Sequence, residues 1–295
     1  MQVKTLFKII FCVLFSCKTD AQSSHEIKIT ENFIQNYELG KARTYVNQNF
    51  KFTEAGKLYL GDISSHLKEW NNAIGYYESL IERKPNSALY HFKAGGAMGM
   101  KAIEINKFQA AFLIPKVKEH FEKAASLDPN HVETKRALSE LYLQLPAVLG
   151  GSLEKGLANA KSLKNLSKLD YYIAMASVCN YKDENQKAKR YIKDGIAKLK
   201  AQPSLVLRNY LYFEFAQDGL RYGVPVTEVD FLMKNYIEGF NYLDLKTPAE
   251  AYLKLAQISE KRDDKSTALY YINKSLKNDS KSKLALELKE DIQDM

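Results

Sequence analysis

The sequence is poor in the residues that interrupt or staple a fold. Its 295 residues hold only seven prolines, three cysteines and a single tryptophan, Trp70. So few prolines, beside fourteen glycines, exclude a collagen-like or low-complexity chain and argue against a turn-rich β fold. Two of the cysteines, Cys12 and Cys17, fall within the first 21 residues. Cys179 is then alone, cannot form an intramolecular bridge, and reads as a buried thiol among Met175, Ala176 and Val178. The five histidines (His25, His66, His91, His120, His131) make no His-x3-His pair and have no cysteine neighbours, so the usual zinc patterns are absent. Gly150-Gly151-Ser152 lacks the flanking pattern of a nucleophile elbow, and no Gly-Lys-Ser/Thr follows to make a phosphate loop. It reads as a glycine turn followed by a helix N-cap at Ser152. No catalytic residue, metal or cofactor is assigned, and the expectation is a protein that is not an enzyme.

A long hydrophobic run is also missing beyond the N-terminus. In residues 1–21, Lys4 and Lys8 precede the short apolar stretch Ile9–Phe15, and Thr19-Asp20-Ala21 ends on a small residue. This predicts a bacterial-type secretory signal, too short for a membrane span. Two processing routes stay open, beside retention of the segment as an anchor. One is cleavage before Gln22. The other is lipidation of Cys17, since Leu14-Phe15-Ser16-Cys17 resembles a lipobox. The protein is expected to be exported, and either periplasmic or anchored to the outer membrane through Cys17. The polar residues 22–32 read as a flexible leader.

The formal charge is +8, falling to roughly +6 without residues 1–21. The basic residues are dispersed, as in Lys187, Lys189, Arg190, Lys193 and Lys198, and read as a solvated helical surface. No aromatic-plus-basic pattern for nucleic acid is present.

What the chain has in abundance is Glu, Lys, Leu and Ala, which favour helix. It also has one spacing that recurs. A small residue follows an apolar one, an Ala comes twelve residues later, and a large apolar residue four after that. The cases are Leu60-Gly61…Ala73…Tyr77, Met175-Ala176…Ala188…Ile192 and Leu255-Ala256…Ala268…Ile272. Self-similarity at this period marks stacked helical hairpins, whose small residues let two helix backbones approach closely.

Leu60-Gly61, Ala73, Tyr77 and the closing Pro85 resemble the tetratricopeptide repeat, and the resemblance extends over residues 54–281. It implies an all-α, right-handed superhelical solenoid of about six hairpins over 33–281, with residues 282–295 as a C-terminal capping helix. Lys118-Glu119-His120-Phe121-Glu122-Lys123-Ala124 followed by Leu127-Asp128-Pro129-Asn130 resembles a subgroup of exported bacterial repeat proteins, and over about 87–163 the chain is also similar to the repeat domain of regulator-of-microtubule-dynamics proteins. Three units depart from the regular step. Residues 101–114 are inserted in the second, with Pro115 expected to start the following helix. The third carries the Gly150-Gly151 loop, and the fifth breaks at Gly223-Val224-Pro225. Thr247-Pro248 predicts a capped helix start in the sixth.

Such arrays bind through the face formed by their first helices, so the resemblance implies a protein or peptide partner and a scaffold or adaptor role. Projection of the units places Phe92, Gly96, Arg136, Glu140, Ile173, Phe213, Gln217, Leu253 and Gln257 on that face, with Phe92 and Phe213 as aromatic anchors. Leu58 and Asp62 stand where some members carry a carboxylate clamp, which disfavours binding of a C-terminal carboxylate. Gly95-Gly96-Ala97-Met98-Gly99-Met100 supports a second reading. Glycine costs about 1 kcal/mol inside a helix relative to Ala. The cluster therefore reads either as close helix packing or as a hollow for a lipid or small hydrophobic ligand.

Overall fold

A computed structural model describes residues 24–241, 243–244 and 246–295. The signal segment, the cleavage before Gln22 and the lipidation of Cys17 lie outside the described residues. Within them the chain is helical, and no strand occurs. It divides into two compact units, one ending at Pro129 and one beginning at Asn130.

Among the described residues the first unit holds six helices. These are α1 over 24–35, α2 (Leu39–Asn49), α3 (Glu54–His66), α4 (Trp70–Arg83), α5 (Ala88–Glu104) and α6 (Lys107–Leu127). Residues 24–32 are therefore not a flexible leader. Thr30 and Ile34 of α1 are buried, and Tyr59 Oη donates to Glu31 at 2.7 Å. The hairpin α1–α2 follows the same spacing as the three regular units. Thr30 takes the small position, Ala42 comes twelve residues later and Val46 four after that, all three fully buried.

A backbone signature runs with this spacing. Seven residues after Thr30, Gly61, Ala176 and Ala256 stand Tyr37, Lys68, Asp183 and Asp263, each with φ between 57° and 59°. The turn inside each regular hairpin needs a left-handed residue, and here four non-glycines supply it. The close approach is also visible. A Cβ added to Gly61 would sit 2.5 Å from the Tyr77 ring, and one on Gly95 would sit 3.0 Å from Phe121.

The inserted residues of the second hairpin do not form a separate segment. Asn106 caps α6 by accepting from Gln109 N at 3.0 Å, and α6 then runs unbroken for 21 residues with Pro115 inside it. Pro115 does not begin a new helix. It removes one hydrogen bond to the carbonyl four residues earlier, on an exposed side where water can serve that oxygen. The insertion thus lengthens a helical hairpin.

The second unit holds α7 (Val132–Gln144), α8 (Leu153–Ser162), α9 (Lys168–Tyr181), α10 (Asn185–Ala201), α11 (Tyr210–Arg221), α12 (Val226–Glu238), α13 (Pro248–Glu260), α14 (Lys265–Asn278) and α15 (Lys283–Asp294). Gly150 turns left-handed at φ 88°, and Ser152 then caps α8 by accepting from Lys155 N. Thr247 caps α13 in a reciprocal box with Glu250, with Pro248 in the first turn. The core of α9–α15 is built from residues such as Ile192, Ile196, Leu199, Phe215, Leu232, Tyr236, Leu255 and Ile272. At about 25 cal/mol per Å² of apolar surface, this burial supplies the main driving force for stacking. Helix α15 buries Ala285, Leu288 and Ile292 and leaves Leu284 and Leu286 exposed.

Candidate functional site

The second unit contains a cavity of about 400 Å³ between α7, α9 and α11. Helix α11 presents Tyr210, Glu214, Gln217 and Arg221 to it, a 4-3-4 spacing that keeps one face of a helix. Helix α9 presents Ile173, Ala176, Ser177 and Asn180, and α7 presents Arg136, Glu140, Leu143 and Gln144. The floor carries charge. Arg136, only 6% exposed, donates to Asp170 Oδ1 at 3.2 Å, to Glu140 Oε1 at 2.8 Å and to Glu214 Oε1 at 2.8 Å. Asp170, fully buried, also accepts from Ser167 Oγ at 2.6 Å and from Arg208. Arg208 reaches Glu133 at 3.4 Å and Glu214 at 3.7 Å.

These charges perturb one another. Burial works against the Arg136 charge, but Glu214, Glu140 and Asp170 outweigh it and hold its pKa above the ordinary arginine value. Burial pushes the Glu214 carboxyl up, while Arg136 and Arg208 pull against it. Burial also pushes Asp218 up, and Asp218 has no ion-pair partner among the described residues. Burial, then Glu214, raises the Tyr210 phenol. Arg136 Nε and Glu214 Oε2 have no hydrogen-bond partner among the described residues. Glu140, Glu214 and Asp218 line the groove beside Arg136 and Arg221, so its lining carries one more carboxylate than guanidinium in a chain that is basic as a whole. Asp170, Arg208 and Glu133 join the same ion-pair network behind it.

Four of the projected face residues, Arg136, Glu140, Ile173 and Gln217, come together in this groove. Phe213 does not join them. It is 2% exposed, and its ring centroid lies 5.2 Å from that of Tyr236. On α11 the expected position of Phe213 is core, and its neighbour Glu214 faces the groove together with Gln217. Leu253 is buried in the core, and Gln257 accepts from Lys254 Nζ at 3.1 Å, both on α13 and outside the cavity. Phe92 and Gly96 belong to the first unit. Phe92 is half-buried, its ring 5.9 Å from Phe121. A Cβ on Gly96 would meet nothing within 4 Å, whereas Gly95 faces Phe121, so packing accounts for Gly95 alone. Met98 is 1% exposed and lies inward, not along a hollow. Asp62 accepts from Tyr77 Oη at 2.6 Å and pairs with Lys93 at 2.7 Å. Cys179 is buried, which pushes its thiol up and away from reactivity. Sequence reasoning missed Asp170, Arg208 and Glu214, and the contact between His91 Nδ1 and His120 Nδ1 at 3.0 Å.

No group of three His, Cys, Asp or Glu side chains is placed to hold a metal among the described residues. Nor is any described helix long and apolar enough to cross a membrane. No protein-family model matches the chain, and no curated protein matches its sequence. Solved structures do. A tetratricopeptide repeat protein from Parabacteroides merdae superposes with a TM-score of 0.51 at 12% identity, over 92% of this chain and 98% of that one. This chain has the tetratricopeptide-repeat fold. Yeast Tom70 gives the same TM-score at 13% identity, over 87% of this chain but 58% of Tom70. In the tetratricopeptide repeats of the second unit, the first helices α7, α9 and α11 supply the groove, and their second helices pack behind them.

Proposed function

We propose that this protein is a non-catalytic scaffold or adaptor of the cell envelope, and that the α7–α9–α11 groove holds an extended basic segment of a partner protein. The observation that carries this reading is the excess of carboxylates over arginines around an open cavity with apolar walls at Ile173, Ala176 and Tyr210. A lysine or arginine entering there would relieve the burial cost on Glu214 and Asp218 and add charge-assisted hydrogen bonds. The apolar walls would take the aliphatic stem of the same side chain. Envelope location rests on the sequence of residues 1–21 alone.

A photo-crosslinking amino acid at Gln217, which is exposed on the groove, tests the reading in native cells. The expected result is a protein adduct at Gln217 that disappears with Glu140→Gln plus Asp218→Asn and is absent with the label at Lys161, an exposed residue of α8 outside the cavity. No adduct at Gln217, or one that the double variant leaves unchanged, contradicts it.

A further inference from the structure

The lengthened α5–α6 hairpin of the first unit leaves large apolar side chains uncovered at its turn. Ile103 is 77% exposed, Phe108 75% and Phe112 71%. The two phenylalanines stand one helical turn apart with ring centroids at 5.1 Å, edge to face. Exposure this high means that no walls surround them, so they are not the lining of a groove. Clusters of exposed apolar side chains of this size mark a surface that meets something apolar. Lys101, Lys107 and Lys116 flank the patch. The nearby acid, Glu104, accepts from Trp70 Nε1 at 2.6 Å, and Lys101 donates to Asn71. Lys116 continues the stripe of Phe108 and Phe112 at the next i+4 step.

We infer that the α5–α6 turn is a membrane-surface contact, in which Phe108, Phe112 and Ile103 enter the headgroup–acyl boundary of an anionic bilayer and Lys107 and Lys116 pair with lipid phosphates. Aromatic and aliphatic side chains with lysines at their margin are the chemistry that binds such an interface. Lysine stems can run along the apolar surface while their charges stay at the phosphates. The charge around the turn selects an anionic lipid surface over a neutral one. This inference rests on the first unit and is independent of the groove in the second.

The test is Phe108→Trp in the full chain, with the signal of Trp70 subtracted from the wild type. Because Phe108 is exposed and its ring contact is with the equally exposed Phe112, the substitution removes no core packing, and circular dichroism verifies the fold. With vesicles of phosphatidylethanolamine and phosphatidylglycerol, the emission of the introduced indole should shift to shorter wavelength and be quenched by brominated acyl chains. Lys107→Glu plus Lys116→Glu should weaken this at least about tenfold, and phosphatidylcholine vesicles should give little of it. An indole that remains accessible to iodide and untouched by brominated lipid overturns the inference, even if the chain reaches vesicles by another segment. Shielding without lipid that grows with protein concentration also overturns it, and assigns the patch to a second copy of the chain. Phe112→Trp repeats the measurement at an independent position.

Discussion

Arg136 and Asp170 stand 34 residues apart in sequence, and their side chains meet at 3.2 Å on the floor of the groove. Glu214, a further 44 residues on, completes the contact at 2.8 Å. One guanidinium thus joins the first helices of three successive hairpins.

Removing that cation should be costly. Arg136→Met leaves the buried Asp170 and the half-buried Glu214 with only Arg208 as a cation between them. Breaking a buried pair by deleting one partner typically costs about 3–5 kcal/mol. Urea unfolding should show a loss in this range. Arg221→Ala, at an exposed arginine that donates to Asn180, should change stability by no more than about 0.5 kcal/mol.

Asp218 should reveal itself through pH. Its carboxyl is pushed up by burial, so the folded state holds the proton more tightly than the unfolded state. Its ionisation is a destabilising contribution at neutral pH, relieved as pH falls through the raised pKa. Asp218→Asn should therefore stabilise the chain at pH 7 by up to about 1 kcal/mol. The gain should shrink on acidification, and denaturation series at pH 7 and in the acid range would measure it.

The opposite sign is expected at the His91–His120 contact. His91 Nε2 lies 3.0 Å from the Pro85 carbonyl and donates to it, which leaves His91 Nδ1 to accept from His120. Burial, then His91, lowers the His120 pKa. The neutral ring is the form the fold favours, so this contribution is lost as pH falls from the ordinary histidine value of about 6.5 towards the lowered one. His120→Gln should flatten the pH dependence of stability across that window.

Glycines that look alike in sequence should respond differently. Gly61→Ala drives a methyl into the Tyr77 ring and should cost about 1–3 kcal/mol. Gly75→Ala, exposed in α4 with nothing within 4 Å of the new atom, should gain about 0.5–1 kcal/mol. Lys68→Gly, at a φ of 58°, should gain on a similar scale by relieving left-handed strain. Thermal denaturation of the three variants separates them.

These contrasts show what was legible in the sequence. The hairpins were, because a small residue at Gly61, Ala176 or Ala256 and an Ala twelve later are direct consequences of close helix packing. The α1–α2 hairpin was not, because Thr30 replaces the expected glycine or alanine and residues 22–32 are polar. Pro115 misled because a proline on an exposed helix side can be absorbed without a break. The groove was half visible. Arg136, Glu140, Ile173 and Gln217 follow from the repeat step, but Phe213 is core, because α11 packs that side on Tyr236. Asp170 and Arg208 carried no local signal, since ion pairs across 34 or 38 residues follow from stacking alone. A charged residue at a position that neighbouring repeats fill with apolar side chains was the one available hint.

Selection of a basic segment by the groove is tested most directly by an anisotropy titration with labelled octalysine and octaglutamate peptides at one ionic strength. With a formal charge of +8, the chain as a whole should favour the acidic peptide through non-specific attraction. A groove as described predicts the reverse: tighter binding of octalysine, weakened at least about fivefold by Glu140→Gln plus Asp218→Asn. Equal or tighter binding of octaglutamate, or indifference to the double variant, would contradict the claim.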